Sequence, residues 1–485
     1  MTLTDLGLSL DLANDDQTRA ALEMAIALDA ALEDRQRVLQ RYSDYYNGTQ
    51  RLVYSSEKWR RAFGGMFTQF SDNWCQLVVD AVDERLDVEG FRFGDDAGDQ
   101  DAWEIWQRSN LDADSQMAHT AALIYGVAYA MAWWGEDDLA ELSVESPENT
   151  IVAFEAGSRR KRAWAFKRWQ ADENTVYATL YGPDFLWKWQ APVGGGNVGA
   201  SVMTGGWLPR EEDDVWPLPN PLGRVPVVPL LNRPQLSLQS SYLTDGQSEI
   251  AQVIPVQDAV NKLLLDMIVA SEFGAFRQRW VTGMDIPRDP ETDQPVEPFR
   301  AAVDRLWMAE NPEVRFGEFN ATDLSPYTKA VEMLVQHIAS QTRTPPHYFY
   351  LSGQFPSGES IKAAETGLVA KAKRKQRHFE EGWEELMRLA FAIEGDDRSR
   401  YYLAETIWAD PESRTEGEHT DAVMKKKALD VPIQQLWEDL GYSPQQIARF
   451  RGMLAESAFI QAMATPVPAL GGVTGQPAAP EPRAA

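Results

Sequence analysis

Cysteine is almost missing from this chain: Cys75 is the only one in 485 residues. A single thiol makes no intramolecular disulfide and no cysteine-based zinc cluster, so the sequence suits a reducing compartment and reads as a cytosolic product. Histidine is nearly as sparse. His119, His337, His347, His378 and His419 fall at spacings that match no metal motif, and each reads as a packing or surface residue. Basic charge is also short, with 46 Lys and Arg against 73 Asp and Glu, a net charge of −27. A protein that wraps nucleic acid needs a cationic contact face, so that class is excluded and any DNA role must be local or non-adhesive. The acidic stretch from Met1 to Gln17 lacks the basic start of a secretory signal.

Catalytic signatures are missing as well. The chain has no G-x-x-x-x-G-K-[ST], so by this criterion it is not an ATP-driven motor, and it has no H-E-x-x-H and no G-x-S-x-G. No residue pattern nominates a nucleophile or a tuned acid–base pair, and no cofactor is expected. Gly194, Gly196 and Gly199 have dinucleotide-binding spacing, but they lead into Gly205-Gly206-Trp207-Leu208-Pro209. With no helix start to hold a pyrophosphate, this is a flexible loop. The acidic pairs Asp95-Asp96 and Asp213-Asp214 read as solvated turns. One long uncharged run exists, 21 residues from Ser115 to Gly135, yet Gln116, His119 and Gly126 interrupt it and Val127, Tyr129, Met131 and Trp133 alternate. That is a buried helix running into a strand rather than a membrane span.

What is present is material for a core, 44% apolar and 11% aromatic residues, and at ~150 residues per domain enough chain for about three structural regions. Leu22, Ile26, Leu32, Leu39 and Tyr46 predict a long amphipathic helix over Asp16–Tyr46, ended by Asn47-Gly48. A second helix carries Trp74, Leu77, Val78, Ala81, Val82 and Leu86 after a cap at Ser71 or Asp72, with Cys75 as a buried structural thiol, and leads into a strand at Gly90–Phe93. From Leu139 to Gln190 the alternation predicts an antiparallel β-meander, with strands at Ile151–Phe154, Ala163–Trp169, Val176–Tyr181 and Phe185–Trp189.

The middle of the chain holds two apolar helical rows of 18 residues each, ~27 Å long. One carries Val256, Val260, Leu263, Leu264, Met267 and Ile268; the other starts at Ser325-Pro326 and carries Tyr327, Val331, Leu334, Val335 and Ile338. Between them, Gly274–Leu324 is proline-rich with strand-like Arg279–Thr282 and Arg305–Met308, a small unit at the far end of a helical pair. Thr344-Pro345-Pro346 stops the second row, and a loop with Tyr348, Phe349, Tyr350, Gln354, Phe355 and Ser357 follows. Glu359–Ile393 then predicts one helix of ~52 Å. It bears a basic block, Lys371, Lys373, Arg374, Lys375 and Arg377, followed by Glu380, Glu381, Glu384 and Glu385. Such a block contacts either a phosphate backbone or a neighbouring acidic subunit, or lies on a solvated face; the adjoining acids favour the roles other than DNA contact. Further helices follow in Pro411–Ala464, and Thr465–Ala485, with five prolines, reads as a disordered tail.

In order along the chain, Tyr45-Tyr46-Asn47-Gly48, Asn73 to Val79 with Arg85-Leu86 and Gly90-Phe91, Gln257-Asp258-Ala259-Val260-Asn261, and Thr344-Pro345-Pro346 through Ser357-Gly358 resemble the portal proteins of tailed bacteriophages, in the branch found in phages of actinobacteria. The resemblance implies an α+β, mainly α subunit with wing, stem, clip and crown. It implies a homo-oligomeric ring, a 12-mer, at one capsid vertex of the virion, assembled in the host cytoplasm. Its partners would be double-stranded DNA passing through the channel, a separate terminase, a head–tail adaptor and the major capsid or scaffold protein, with no membrane.

On that mapping residues 1–244 are the wing, 245–273 and 325–343 the stem helices, and 274–324 the clip. Residues 344–358 are the channel loop, 359–410 the long helix and its return to the wing, 411–464 the crown and 465–485 the tail. The absent P-loop agrees with a passive, non-enzymatic conduit. Two other readings stand beside it: an intracellular carbohydrate-active enzyme, on the strength of 17 Trp and many acids, and a helical scaffold without a pore.

Overall fold

The apolar stripe of the first helix, α1 (Asp16–Asn47), divides into two uses. Its N-terminal half buries Ala21, Leu22, Ala25, Leu28 and Leu32 against a sheet, and its C-terminal end delivers Tyr45 to a separate helical core. The computed structural model describes residues 16–51, 71–94, 98–192, 207–210, 215–235, 246–275, 279–283, 288–294, 312–319, 323–349, 357–412 and 416–464. About half of these are helical, and the fold is mixed α/β.

Helix α2 (Trp74–Asp83) is capped by Asn73, not by Ser71 or Asp72: Asn73 Oδ1 accepts from the Cys75 and Gln76 amides. The expected caps are otherwise engaged, since Asp72 accepts from Trp74 Nε1 (2.9 Å) and Ser71 Oγ accepts from Gln50 (2.8 Å). Strand β1 (Val88–Phe93) pairs antiparallel with β13 (Ala404–Trp408), far along the chain. Between lie α3 (Gln100–Arg108), a helix too short to stand out by apolar spacing, and α4 (Leu111–Tyr125), which ends at Gly126 with φ +93° before β2 (Val127–Trp134). The uncharged run is thus a buried helix and strand, and among the described residues no helix is long and apolar enough to cross a membrane.

The meander is β4 (Thr150–Phe154), β5 (Arg162–Gln170), β6 (Thr175–Tyr181) and β7 (Phe185–Pro192), all antiparallel, extended by short β8 (Leu208–Pro209) and β9 (Leu218–Pro219). The strand before it, β3 (Ala140–Glu145), belongs to another sheet, pairing with β2, which also pairs with β10 (Val227–Leu231). β4 is buried on both faces: Ile151 and Ala153 join the core under α1, while Val152 and Phe154 face the β2–β10 sheet. Opposite faces of a strand alternate residue by residue, so five consecutive apolar-compatible positions serve two cores.

The two apolar rows are α5 (Ile254–Ala275) and α6 (Ser325–Thr342), packed together. Between them, β11 (Arg279–Thr282) pairs with β12 (Arg315–Glu318); the expected strand Arg305–Met308 lies outside the described residues. Ser325 is already helical, and Asp323 accepts from its amide (2.9 Å). After a 3-10 turn at Pro346–Phe349 comes α7 (Gly358–Ile393), capped by Ser357, then α8 (Glu416–Lys427), α9 (Ile433–Asp439) and α10 (Pro444–Ala464). Gly194, Gly196, Gly199, both acidic pairs and 465–485 also lie outside the described residues.

The second half of α7 is the axis of the helical core: Phe379, Trp383, Leu386, Met387, Leu389 and Ala390 are fully buried. His119 of α4 is buried there too, accepting from Trp383 Nε1 (2.9 Å) and stacked on Phe379. Burial holds its pKa down at about 3, outweighing the opposing influence of the Leu86 backbone. Below pH 6.5 the unfolded chain takes up a proton that the folded one refuses, so stability falls from 6.5 toward 3 by up to ~1.4 kcal/mol per pH unit. Unfolding measured from pH 7 to 4 is expected to show a shallower acid loss for His119→Gln, which keeps an acceptor for Trp383 without the penalty.

Candidate functional site at the base of the paired helices

The short motifs scattered along the sequence meet at one place, the root of α5. Tyr45 OH donates to Asp258 Oδ1 (2.5 Å), and Tyr46 OH to Asp80 Oδ1 (2.9 Å). Asn73 Nδ2 donates to the Tyr46 carbonyl (2.6 Å). The Trp74 amide donates to Gln257 Oε1 (2.8 Å), Gln257 Nε2 to the Asp72 carbonyl, and the Asp72 amide to Asn261 Oδ1 (3.0 Å). Gln257 and Asn261 are buried, one helical turn apart on the face of α5 that meets α2. Buried amides of this kind are retained where both partners are fixed, because an unmatched buried polar group costs ~1–3 kcal/mol. Burial and the Asp258 hydrogen bond push the Tyr45 hydroxyl pKa up, so it stays a donor.

A second knot ties the end of α6 to α7. Arg85 Nη1 donates to the Pro411 carbonyl (2.7 Å) and Nη2 to Tyr348 OH (3.1 Å), with Glu365 at 3.5 Å. Phe349 is buried against Trp74, ring centroids 5.4 Å apart. Of the predicted channel-loop residues, Tyr348 is therefore half-buried and Phe349 buried, both as packing groups in this chain, while Ser357 caps α7. Tyr350, Gln354 and Phe355 lie outside the described residues.

The basic block on α7 is not one exposed face. Lys373, Arg374 and Arg377 are exposed, but Lys375 is 2% exposed and Lys371 is largely covered. Residues at i and i+4 share a face, so Lys371 and Lys375 turn inward together. Both reach Glu249: Lys371 Nζ at 2.8 Å, and Lys375 Nζ, which also donates to Asn232 Oδ1. Lys371 further donates to the Thr342 carbonyl at the end of α6 (3.1 Å). Burial alone would raise Glu249, but the two lysines outweigh it and hold its pKa at about 2. Desolvation, with repulsion from Lys371 and Arg233, brings Lys375 down to about 8 despite Glu249.

Close backbone packing delivers Glu249. A Cβ on Gly246 would lie 2.0 Å from the Gly126 carbonyl oxygen and 2.2 Å from that of Asn232, so only glycine lets this segment through. The Asn232 amide donates to Gly126 and the Gln247 amide to Asn232. Nothing in the local sequence marks Glu249 or Asn232 as partners of α7; the contact spans 126 residues in one case and 143 in the other. Among the described residues no group of three or more His, Cys, Asp or Glu is placed to hold a metal ion. Cys75 is buried, which raises its thiol to about 12.

Buried charges and amides at this junction join elements to one another, with the packed pair α5 and α6 rooted in it; the arrangement is that of a structural subunit. The family description "Phage portal protein, SPP1 Gp6-like" matches residues 27–441. A portal protein of Mycobacterium phage D29 is 31% identical over 390 residues, 76% of this chain and 75% of that protein. A portal protein of Mycobacterium phage L5 is 29% identical over 455 residues, covering 88% and 87%. A chain from the virion of a native gene transfer agent particle is similar with a TM-score of 0.40 and 11% identity, over 84% of this chain and 89% of that one. The chain belongs to the SPP1 Gp6-like family of phage portal proteins. Its function is that of a phage portal, a structural component of the virion capsid rather than an enzyme.

Proposed function

We propose that about twelve copies of this chain close into a ring at one capsid vertex, the passive channel through which double-stranded DNA is packaged and ejected. In this reading α5 and α6 are the stem, 274–324 the clip that docks terminase and the head–tail adaptor, and 344–358 the channel loop. Residues 1–244 with 359–410 form the wing toward the major capsid or scaffold protein, and 411–464 the crown. Assembly takes place in the host cytoplasm.

The observation that carries it is the surface of α5. Leu263, Leu264, Met267, Ile268 and Val269 are all partly exposed in the single chain, although only Asp258, Lys262, Asp266 and Glu272 are charged along the helix. A helix apolar on most sides is stable when neighbours cover it, and a ring supplies a neighbour on each flank. The C-terminal helices expose Ile433, Leu454, Phe459 and Ile460 in the same way, and the turn before Ile433 exposes Leu429. The light, mixed charge of both rods suits a conduit, since a dense basic lining would hold DNA, which carries one charge per ~1.7 Å. Native mass measurement is expected to find a species of about 650 kDa, twelve chains of 54.5 kDa each. Duplex binding by that species at physiological salt should be weak with a shallow salt dependence. Only monomers at every concentration, or tight salt-steep binding, would overturn this reading.

A further inference from the structure

Beside the Glu249 cluster lies a cavity of about 210 Å³ whose floor is Glu249, Lys371 and Lys375 and whose rim is Arg233, Arg343 and Arg374. We propose that this cavity is a binding site for a phosphate oxyanion, held by the three rim guanidiniums above the two lysines. The inference concerns one subunit and does not depend on ring formation.

The rim carries the argument. The three arginines come from three separate places: the turn after β10, the residue ending α6, and the middle of α7. All three are exposed, and among the described residues none forms an ion pair, in a chain with 73 acids to 46 bases. The single carboxylate of the cavity is already shared between two lysines, so five cations face one anion. Such an excess around one concavity is relieved by an anion drawn from solution. Three arginines contributed by three separate segments offer donors to more than two oxygens, which suits a tetrahedral dianion, and the charge excess is larger than one planar carboxylate would balance. Arg233 and Arg343 have φ of +50° and +58°, Arg343 as the left-handed residue that caps α6 with its amide on the Ala339 carbonyl, and both line this cavity. A space of this size admits one oxyanion with a few waters, and not a duplex.

The test is titration of the full-length protein with orthophosphate at constant ionic strength set by sodium chloride, followed by thermal unfolding and 31P NMR line broadening. Saturable, phosphate-specific stabilisation is expected. Arg343→Gln and Arg374→Gln should each weaken it about tenfold, the loss of one charge-assisted hydrogen bond, whereas Arg377→Gln, exposed on the same helix outside the cavity, should leave it unchanged. Since all three substitutions are at exposed positions, unfolding without phosphate reports whether the fold is intact. A competition arm separates the sources: displacement of orthophosphate by the phosphodiester tetranucleotide (dT)4 identifies a nucleic-acid backbone phosphate, and no displacement identifies a free oxyanion. Stabilisation by chloride equal to that by phosphate, identical binding by the rim variants, or displacement by a hexaglutamate peptide more effective than by phosphate would overturn the proposal, the last in favour of a carboxylate from an acidic partner chain.

Discussion

Glu249→Gln is expected to destabilise the subunit by about 3–5 kcal/mol, because it strips the counter-charge from a lysine that is 2% exposed. Lys375 would retain Asn232 but face Lys371 and Arg233 with no anion between them. The companion experiment is Glu249→Gln combined with Lys375→Met. With both charges gone the site no longer buries an unpaired ion, so the double variant should recover most of the loss, a coupling that a double-mutant cycle in urea reads directly. The pH dependence has a definite sign. The Glu249 carboxyl titrates at about 2 in the folded chain against 4.5 when unfolded, so its stabilisation is complete above 4.5 and disappears as pH falls toward 2. Unfolding curves between pH 6 and 3 should therefore fall more steeply for the native sequence than for the double variant. Equal slopes would mean that the lysines do not hold the carboxylate in its charged form.

The second large effect concerns assembly. Val269→Glu with Met333→Glu places two carboxylates on the paired helices, at positions partly exposed in α5 and 51% exposed in α6. Neither side chain is buried in the isolated subunit, so its own unfolding should move by less than ~0.5 kcal/mol, as at surface sites generally. In the proposed ring the same positions would face neighbours, and burying an unpaired charge there should cost about 2 kcal/mol or more at every interface. A closed ring repeats each interface around its axis, so the loss multiplies and the product should be a folded monomer. Size exclusion with circular dichroism checks both halves of that expectation. Rings of unchanged stability would remove α5 and α6 from the subunit contacts.

Much of the architecture could be read from periodicity. The 3.6-residue spacing of Leu22 to Tyr46 corresponds to α1, the alternation from Ile151 to Trp189 to four antiparallel strands, and Thr344-Pro345-Pro346 to the end of α6. These are local signals, written by which side of an element meets water. Gln100–Arg108 was missed although its ends carry ordinary signals, an Asp99 cap and apolar Ile105 and Trp106, because the helix is only nine residues long. The division of β2–β3 and β4–β7 into separate sheets was not legible either: pairing partners are a property of the folded chain, and the apolar residues of a strand do not name the strand they will pair with.

The sequence alone determined that this chain is a portal-family protein with a helical pair around an inserted unit and a long helix behind a proline stop. Apolar spacing, caps and ordered short motifs are carried by residues close to one another in the chain. Only the tertiary structure decided which charges are free. Lys371 and Lys375 read as part of a surface block until Glu249, more than a hundred positions away, is brought beneath them by glycine-tight packing at Gly126 and Gly246. Arg233 and Arg343 join Arg374 around one cavity for the same reason. A buried charge must be matched by whatever the fold places next to it, and no periodicity in the sequence encodes that neighbour.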